Sequence, residues 1–273
     1  NLSRKAEPRR AEYMNNQILV VTPINDGEAV QIAKILKDKN VKTLITKQGW
    51  GASWDNLEPE IKKEIEELKN KNFKIFGVEL QGSAPEGVEN IDHHRYDGDD
   101  RTNEFSSLEQ VAKLVGHRLS LFEEFISAND KGFIPAMLAL AKTKNLSEKE
   151  TQKLIEKVRL QDRAAQGITP EQERIAEKAI QEAEVSDLLT VVHMSHSKTA
   201  TVCDRLYGGY KNLLVISDDG EVNFFGSREV IKKLSNLVKG SWSGGDFEHN
   251  NGFWGGYPQD LDVEKEVKKL LGV

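Results

Sequence analysis

Ile18-Leu19-Val20-Val21-Thr22-Pro23-Ile24-Asn25-Asp26-Gly27 is the stretch on which the fold turns. A short, mostly β-branched apolar run suits a strand covered on both faces. Proline then stops the ladder. After the Asp-Gly turn, Ala29, Val30, Ile32, Ala33, Ile35 and Leu36 recur at helical spacing. Val41 to Ile45 reads as a second strand. Residues 57–70 read as a charged amphipathic helix with Leu57, Ile61, Ile65 and Leu68 on one face, and Phe73 to Val78 as a third strand. Strand, helix, strand, helix, strand is the grammar of a parallel sheet with crossover helices. Ligands of such sheets bind beyond the carboxyl ends of the strands, where Asp26 and Glu79 both fall.

The rest of the chain changes character twice. Glu104 to Ala141 is helical in pattern, with a serine cap at Ser106 or Ser107 and a stop at Gly116. Residues 146–184 are helical and highly charged, interrupted at Gly167-Ile168-Thr169-Pro170, where Thr169 caps and Pro170 takes the first helical position. After Ser186 come strand-like runs at 188–193, 211–217 and 222–225, the last two joined by an Asp218-Asp219-Gly220 turn. A helix over 227–238, a glycine- and tryptophan-rich stretch and a final helix over 262–271 follow. The expected organisation is a leader or remnant over 1–14, with Met14 as the natural start, and an α/β domain over 15–145. A helical connector over 146–185 and a small α+β domain over 186–273 complete it, with a site between the two domains.

Composition narrows the function. Lys plus Arg is 38 against 44 Asp plus Glu, a net charge of −6. That disfavours gripping long nucleic acid mainly by charge. The basic residues Arg4, Lys5, Arg9 and Arg10 leave a nucleic-acid-binding arm as the alternative reading of the first residues. No window approaches the roughly 18 apolar residues of a membrane helix. The single Cys203 excludes an internal disulfide and a cysteine-only metal cage, which favours a reducing, cytoplasmic setting.

The densest polar chemistry is Asn90-Ile91-Asp92-His93-His94. Adjacent histidines on a loop can face one site, with Asp92 orienting an imidazole. A polar surface loop is the plain alternative. The placement beside Asp26 and Glu79 favours a metal site.

Ile91-Asp92-His93-His94 resembles the motif that names the DHH phosphoesterase superfamily, which includes RecJ-type exonucleases, oligoribonucleases, cyclic-dinucleotide phosphodiesterases and manganese pyrophosphatases. The strand ending in Asp26-Gly27, the acid Glu79 and the serine-led helix from Ser106 keep that family's order. Asp130, in Ser127-Ala128-Asn129-Asp130-Lys131-Gly132, is similar to its fourth-motif aspartate. The resemblance covers residues 15–145 well and 186–273 faintly. It implies metal ligands at Asp26, Glu79, His93 and Asp130, with His94 and Asp92 in catalysis and His94 toward the substrate phosphate. The positions that hold the family's other ion read Thr22 and Ile24, so one ion rather than two is expected. The ligand set suits manganese, or magnesium or cobalt.

The implied activity is hydrolysis of a small nucleotide or short oligonucleotide. A small phosphorylated substrate or short single-stranded nucleic acid is the expected partner, with no membrane. A lapsed, nucleotide-binding protein of the same fold is the alternative. In the second domain, His196, Lys198 and Arg205 are candidates for a phosphate or base. His193 reads equally as a packed strand residue. Gly244 and Gly245 are similar to the family's glycine-rich substrate loop, with Asp246 in place of its histidine and His249 nearby. Trp254 is the candidate base-stacking wall if exposed. Trp242, Phe253, Tyr257, Trp50 and Trp54 raise the same choice between stacking and packing.

Overall fold

The structure, a computed structural model, describes residues 17–96, 98–246 and 251–273, without the side chains of Asp246 and Asn251. The expected leader and His249 lie outside the described residues. The chain divides into two compact units, Asn1–Gly167 and Ile168–Val273.

The first unit is α/β. Strands β1 (Ile18–Thr22), β2 (Lys42–Ile45), β3 (Lys74–Val78) and β4 (Val88–Ile91) form a parallel sheet in the order β2-β1-β3-β4. Helices α1 (Gly27–Asp38) and α2 (Pro59–Lys69) make the crossovers. Side chains alternate across a strand. Ile18, Val20, Phe76 and Val78 therefore enter one core, and Leu19, Val21 and Ile75 another. The first core is closed by α1, α3 (Ser107–Leu114), α4 (Leu121–Thr143) and α5 (Glu148–Ala165). The second is closed by α2 and by Trp54, which is buried. Gly77 leaves room for it, because a Cβ there would stand 2.0 Å from the Trp54 ring. Trp50 is exposed.

Ser106, Ser120 and Ser147 each form a capping box with a glutamate three residues on. Each cap stabilises its helix by about 1 kcal/mol. Helix α4 is broken at Gly132 and Phe133, and Phe133 has φ +57°. Two short strands, β5 (Arg95–Tyr96) and β6 (Asp99–Asp100), pair antiparallel after β4. The sheet order reverses between β1 and β3, which leaves a crevice at the carboxyl ends of these strands.

The expected connector is divided. Helix α5 packs against α1 and α4 and belongs to the first unit, while α6 (Pro170–Gln181) belongs to the second. The predicted Thr169 cap and first-position Pro170 are both present.

The second unit is built on a six-stranded sheet. The strands are β7 (Glu184–Val185), β8 (Thr190–Met194), β9 (Leu213–Ser217), β10 (Val222–Gly226), β11 (Trp242–Asp246) and β12 (Asn251–Gly256). Their order is β11-β12-β10-β9-β8-β7, and β8–β9 is the parallel pair. One face packs on α8 (Arg228–Leu237) and α9 (Val263–Leu271), the other on α6 and α7 (Ala200–Leu206).

The glycine- and tryptophan-rich stretch departs from its loop reading. Trp242 to Asp246 and Asn251 to Gly256 are paired strands. The Trp242 ring lies against Gly255, where a Cβ would come within 2.5 Å, and Phe253 lies against Gly244. The glycines make room for cross-strand rings. Among the described residues, no helix is long and apolar enough to cross a membrane.

Candidate metal centre

Three strand ends and one helix supply the site. Beyond β1, Asp26 is the N-cap of α1, and its Oδ1 accepts the Ala29 N–H at 2.8 Å. An aspartate at a helix start satisfies an otherwise unpaired N–H. Burial, together with the charges of Asp130 and Asp162, raises its carboxyl to about 6.

Beyond β3 stands Glu79, whose φ of +53° lies in the left-handed region that side chains disfavour. Its N–H donates to the Ile91 carbonyl at 3.0 Å, so the chain pairs with β4 through this strained residue. Burial first, then the charges of Asp130 and Asp26, pushes the Glu79 carboxyl up to about 7.

Beyond β4 the chain turns around Asp92. Its Oδ1 accepts the backbone N–H of His93 at 2.8 Å and of His94 at 3.0 Å, and lies 3.0 Å from the His94 Nδ1. Its Oδ2 accepts from the Tyr96 hydroxyl at 3.0 Å and Arg101 Nη1 at 3.3 Å. Burial opposes the Asp92 charge, but the bonds from His94 and Tyr96 outweigh it and hold the carboxyl below its usual range. Both oxygens are engaged and the side chain is buried. Asp92 therefore shapes and orients the histidine pair without itself facing solvent. Its hydrogen bond to His94 chiefly raises that imidazole to about 9, against the effect of burial.

Asp130 comes from α4, just before the Gly132–Phe133 break. Its Oδ2 lies against His93 Nε2, and Glu79 Oε1 is 3.9 Å from the same nitrogen. His94 Nδ1 is 3.9 Å from Glu79 Oε1. Ligand atoms of Glu79, His93, His94 and Asp130 all lie within 4.8 Å of one another. Glu79 Oε1, His93 Nε2 and Asp130 Oδ2 are buried and make no hydrogen bond of good geometry. Buried polar atoms without partners are costly. Three buried atoms without hydrogen bonds, two carboxylate and one imidazole, converge here with an ion-pair contact between His93 and Asp130, and this donor set fits a divalent cation.

The expected ligands Glu79, His93 and Asp130 come together here. His94, expected to face substrate, joins them and remains half-exposed. Asp26 stands outside the four, with one oxygen spent on the helix cap, although its charge acts on Glu79. Thr22 is buried and donates to the Pro23 carbonyl, and Ile24 is exposed.

Sequence reasoning missed Glu28. It is buried in the first turn of α1 on the same stripe as Ile32 and Ile35. Oε1 accepts the Leu108 N–H at 2.9 Å, and Oε2 has no hydrogen-bond partner among the described residues. Burial, Asp130 and Glu79 hold its carboxyl well above the usual range. An acid on the apolar face of a helix was the available sign.

The second-unit candidates are differently placed. His196 lies with Nε2 3.0 Å from the Gln172 carbonyl and Nδ1 3.2 Å from the Lys198 N–H. Arg205 pairs with Glu173 and Glu177 and donates to the Thr201 carbonyl. Gly244 and Gly245 sit in β11 rather than an open loop, and Gly245 has φ +91°. Trp254 is fully buried in the core with Phe224 and Leu214, which removes it as a stacking wall. Strand alternation decides this, since its neighbour Phe253 faces out.

No protein-family model matches the sequence. No curated protein matches it either. Among solved structures, the chain is similar to the exonuclease RecJ bound to manganese, at 11% identity and TM-score 0.39, over 100% of this chain and 95% of that one. It is similar to PggH, a pGpG-specific phosphodiesterase from Vibrio cholerae, at 15% identity and TM-score 0.46, over 94% and 99%. A third, an uncharacterised protein from Helicobacter pylori G27, has 12% identity and TM-score 0.30 over 94% and 99%. At these identities the likeness concerns the fold alone.

Proposed function

We propose that the chain is a divalent-metal-dependent phosphoesterase acting on a small nucleotide or a short oligonucleotide. The observation that carries the reading is the convergence of Glu79 Oε1, His93 Nε2 and Asp130 Oδ2, buried and without hydrogen bonds. These residues would hold one ion, with His94 beside them. Thr22 and Ile24 offer nothing for a second, which supports the one-ion expectation. A divalent ion supplies charge neutralisation and polarisation of a phosphoryl group.

The chain's own groups do the rest. Asp92 fixes the His94 ring through Nδ1, which leaves Nε2 for a substrate oxygen. The elevated pKa keeps that imidazole charged at neutral pH in the ion-free protein. When it carries its proton, this half-exposed imidazole can pair with a phosphate oxygen and give that proton to a departing alkoxide.

The test is hydrolysis of a short oligoribonucleotide, a linear dinucleotide, a phosphomonoester and pyrophosphate with manganese, magnesium or cobalt. Metal-dependent cleavage of one of the first two is expected. Failure on all four, with tight nucleotide binding, would replace catalysis with the binding-protein reading, which the missing Thr22 and Ile24 ligands favour.

A further inference from the structure

Helix α5 carries a buried charged pair aimed at two segments of the metal centre. Asp162 and Arg159 are both buried, and Arg159 Nη1 donates to Asp162 Oδ2 at 2.8 Å. Asp162 Oδ1 accepts the Gly27 N–H at 3.0 Å, and Gln166 Nε2 donates to Oδ2 at 3.0 Å. Gln161 Nε2 donates to the Gly27 carbonyl at 3.0 Å. Both backbone polar groups of Gly27 are thus held by α5. A Cβ on Gly27 would meet the Asp162 backbone at 3.1–3.2 Å, so glycine permits the close approach.

The same pair reaches the other segment. Arg159 Nη1 donates to Asn129 Oδ1 at 3.1 Å, and its guanidinium lies 4.5 Å from the centre of the Phe133 ring. Asn129 precedes Asp130, and Phe133 is the left-handed residue at the helix break. One planar cation therefore ties the Asp130 segment to the Asp162 carboxylate, which ties the turn after Asp26. A buried pair replaceable by apolar residues at little cost in stability is poor stabilising material. Its directional bonds suit positioning.

We infer that the Arg159–Asp162 pair is a positioning device that sets Asp130 against Glu79 and His93 and fixes the Asp26–Gly27 turn. This rests on the metal reading of those residues. A planar guanidinium serves two partners and a ring at once, which an ammonium cannot do equally.

The test compares the full chain with Arg159→Lys, Asn129→Ala and the double variant Arg159→Met with Asp162→Asn. The double variant removes both charges of the pair together, and Asn129→Ala removes one tie while both charges stay. Manganese affinity is read by calorimetry, and metal-free thermal unfolding is read separately. Leu68→Ala, in the opposite core, supplies a destabilised control. The double variant is expected to lose roughly 10–100-fold in manganese affinity, the usual effect of an outer partner of a metal ligand. Asn129→Ala should lose less, Arg159→Lys should recover part of the loss, and Leu68→Ala should bind like the wild type. Wild-type affinity in both the folded double variant and Asn129→Ala, or a loss in Leu68→Ala equal to theirs, would overturn the inference alone. A wild type that binds no manganese would overturn the metal reading and the inference together.

Discussion

Two histidine pairs make the instructive contrast in this molecule. His93 and His94 follow a parallel strand of the first unit, and His193 and His196 occupy the end of β8 and the turn after it in the second. As sequence, both pairs sit at strand ends among polar residues. In the structure, His93 Nε2 faces Asp130 and Glu79 with no hydrogen bond of good geometry. His196 instead has a carbonyl and an N–H against its two ring nitrogens, and His193 is exposed, 3.5 Å from Glu264. A histidine becomes a ligand candidate when burial has brought carboxylates to it and nothing else answers its nitrogen. Proximity in sequence to glycines or other histidines does not supply that.

The contrast breaks most readily at the ligands. His93→Ala and Asp130→Asn should abolish manganese binding and any manganese-dependent hydrolysis, with circular dichroism unchanged. His196→Ala should leave both intact. An equal loss in His196→Ala would erase the distinction between the two pairs.

Trp254→Ala should instead act on stability. Removing a fully buried indole costs about 3–5 kcal/mol. Denaturant unfolding should register that loss in the second unit, and manganese affinity should not change. A weakened ligand with unaltered stability would return Trp254 to the substrate-binding role that its sequence neighbourhood suggested.

Asp92→Asn sharpens the comparison within the site. Loss of an orienting partner should reduce metal affinity or turnover roughly 10–100-fold. It should also lower the His94 pKa from about 9 toward the ordinary range, because the Asp92 hydrogen bond is the main cause of the elevation. An NMR titration of the metal-free variant reads this directly, and an unmoved His94 would contradict it.

The smallest effect is on pH. Glu79 rises from 4.5 to about 7 in the folded, ion-free protein. A raised acid contributes stability that is present below its unfolded pKa and lost as pH rises through the folded one. His94, also raised, contributes stability that is complete below about 6.5 and lost as pH rises through about 9. Both make the ion-free protein less stable at higher pH. Added manganese should therefore raise the melting temperature more at about pH 8 than at about pH 5.5, where Glu79 holds its proton. Differential scanning fluorimetry at the two values would detect the reverse.

Much of the first unit was legible because its period is unambiguous. Ile18 to Val21, the helix carrying Ile32 and Ile35, and the strand ending at Val78 each fit one pattern, and the serine at 106 or 107 marked one helix start, as Thr169-Pro170 did in the second unit. Glu79, His93 and Asp130, which lie together in the structure, were singled out in the sequence because their order resembles that of a family's motifs. Asp26 was ambiguous in kind, since an aspartate at a helix start serves as cap or ligand. The β11–β12 pair was hidden because glycine reads as loop, and only cross-strand packing shows that Gly244 and Gly255 seat aromatic rings. The place of α5 depended on Asp162 and Arg159 reaching residues more than a hundred and about thirty positions away, which no local pattern carries.

The central claim is a single ion held by Glu79, His93 and Asp130. Anomalous diffraction from crystals soaked in manganese tests it most directly. One peak is predicted, at bonding distance from Glu79 Oε1, His93 Nε2 and Asp130 Oδ2. No peak there, or two fully occupied ions with the second beside Thr22 and Ile24, would contradict it.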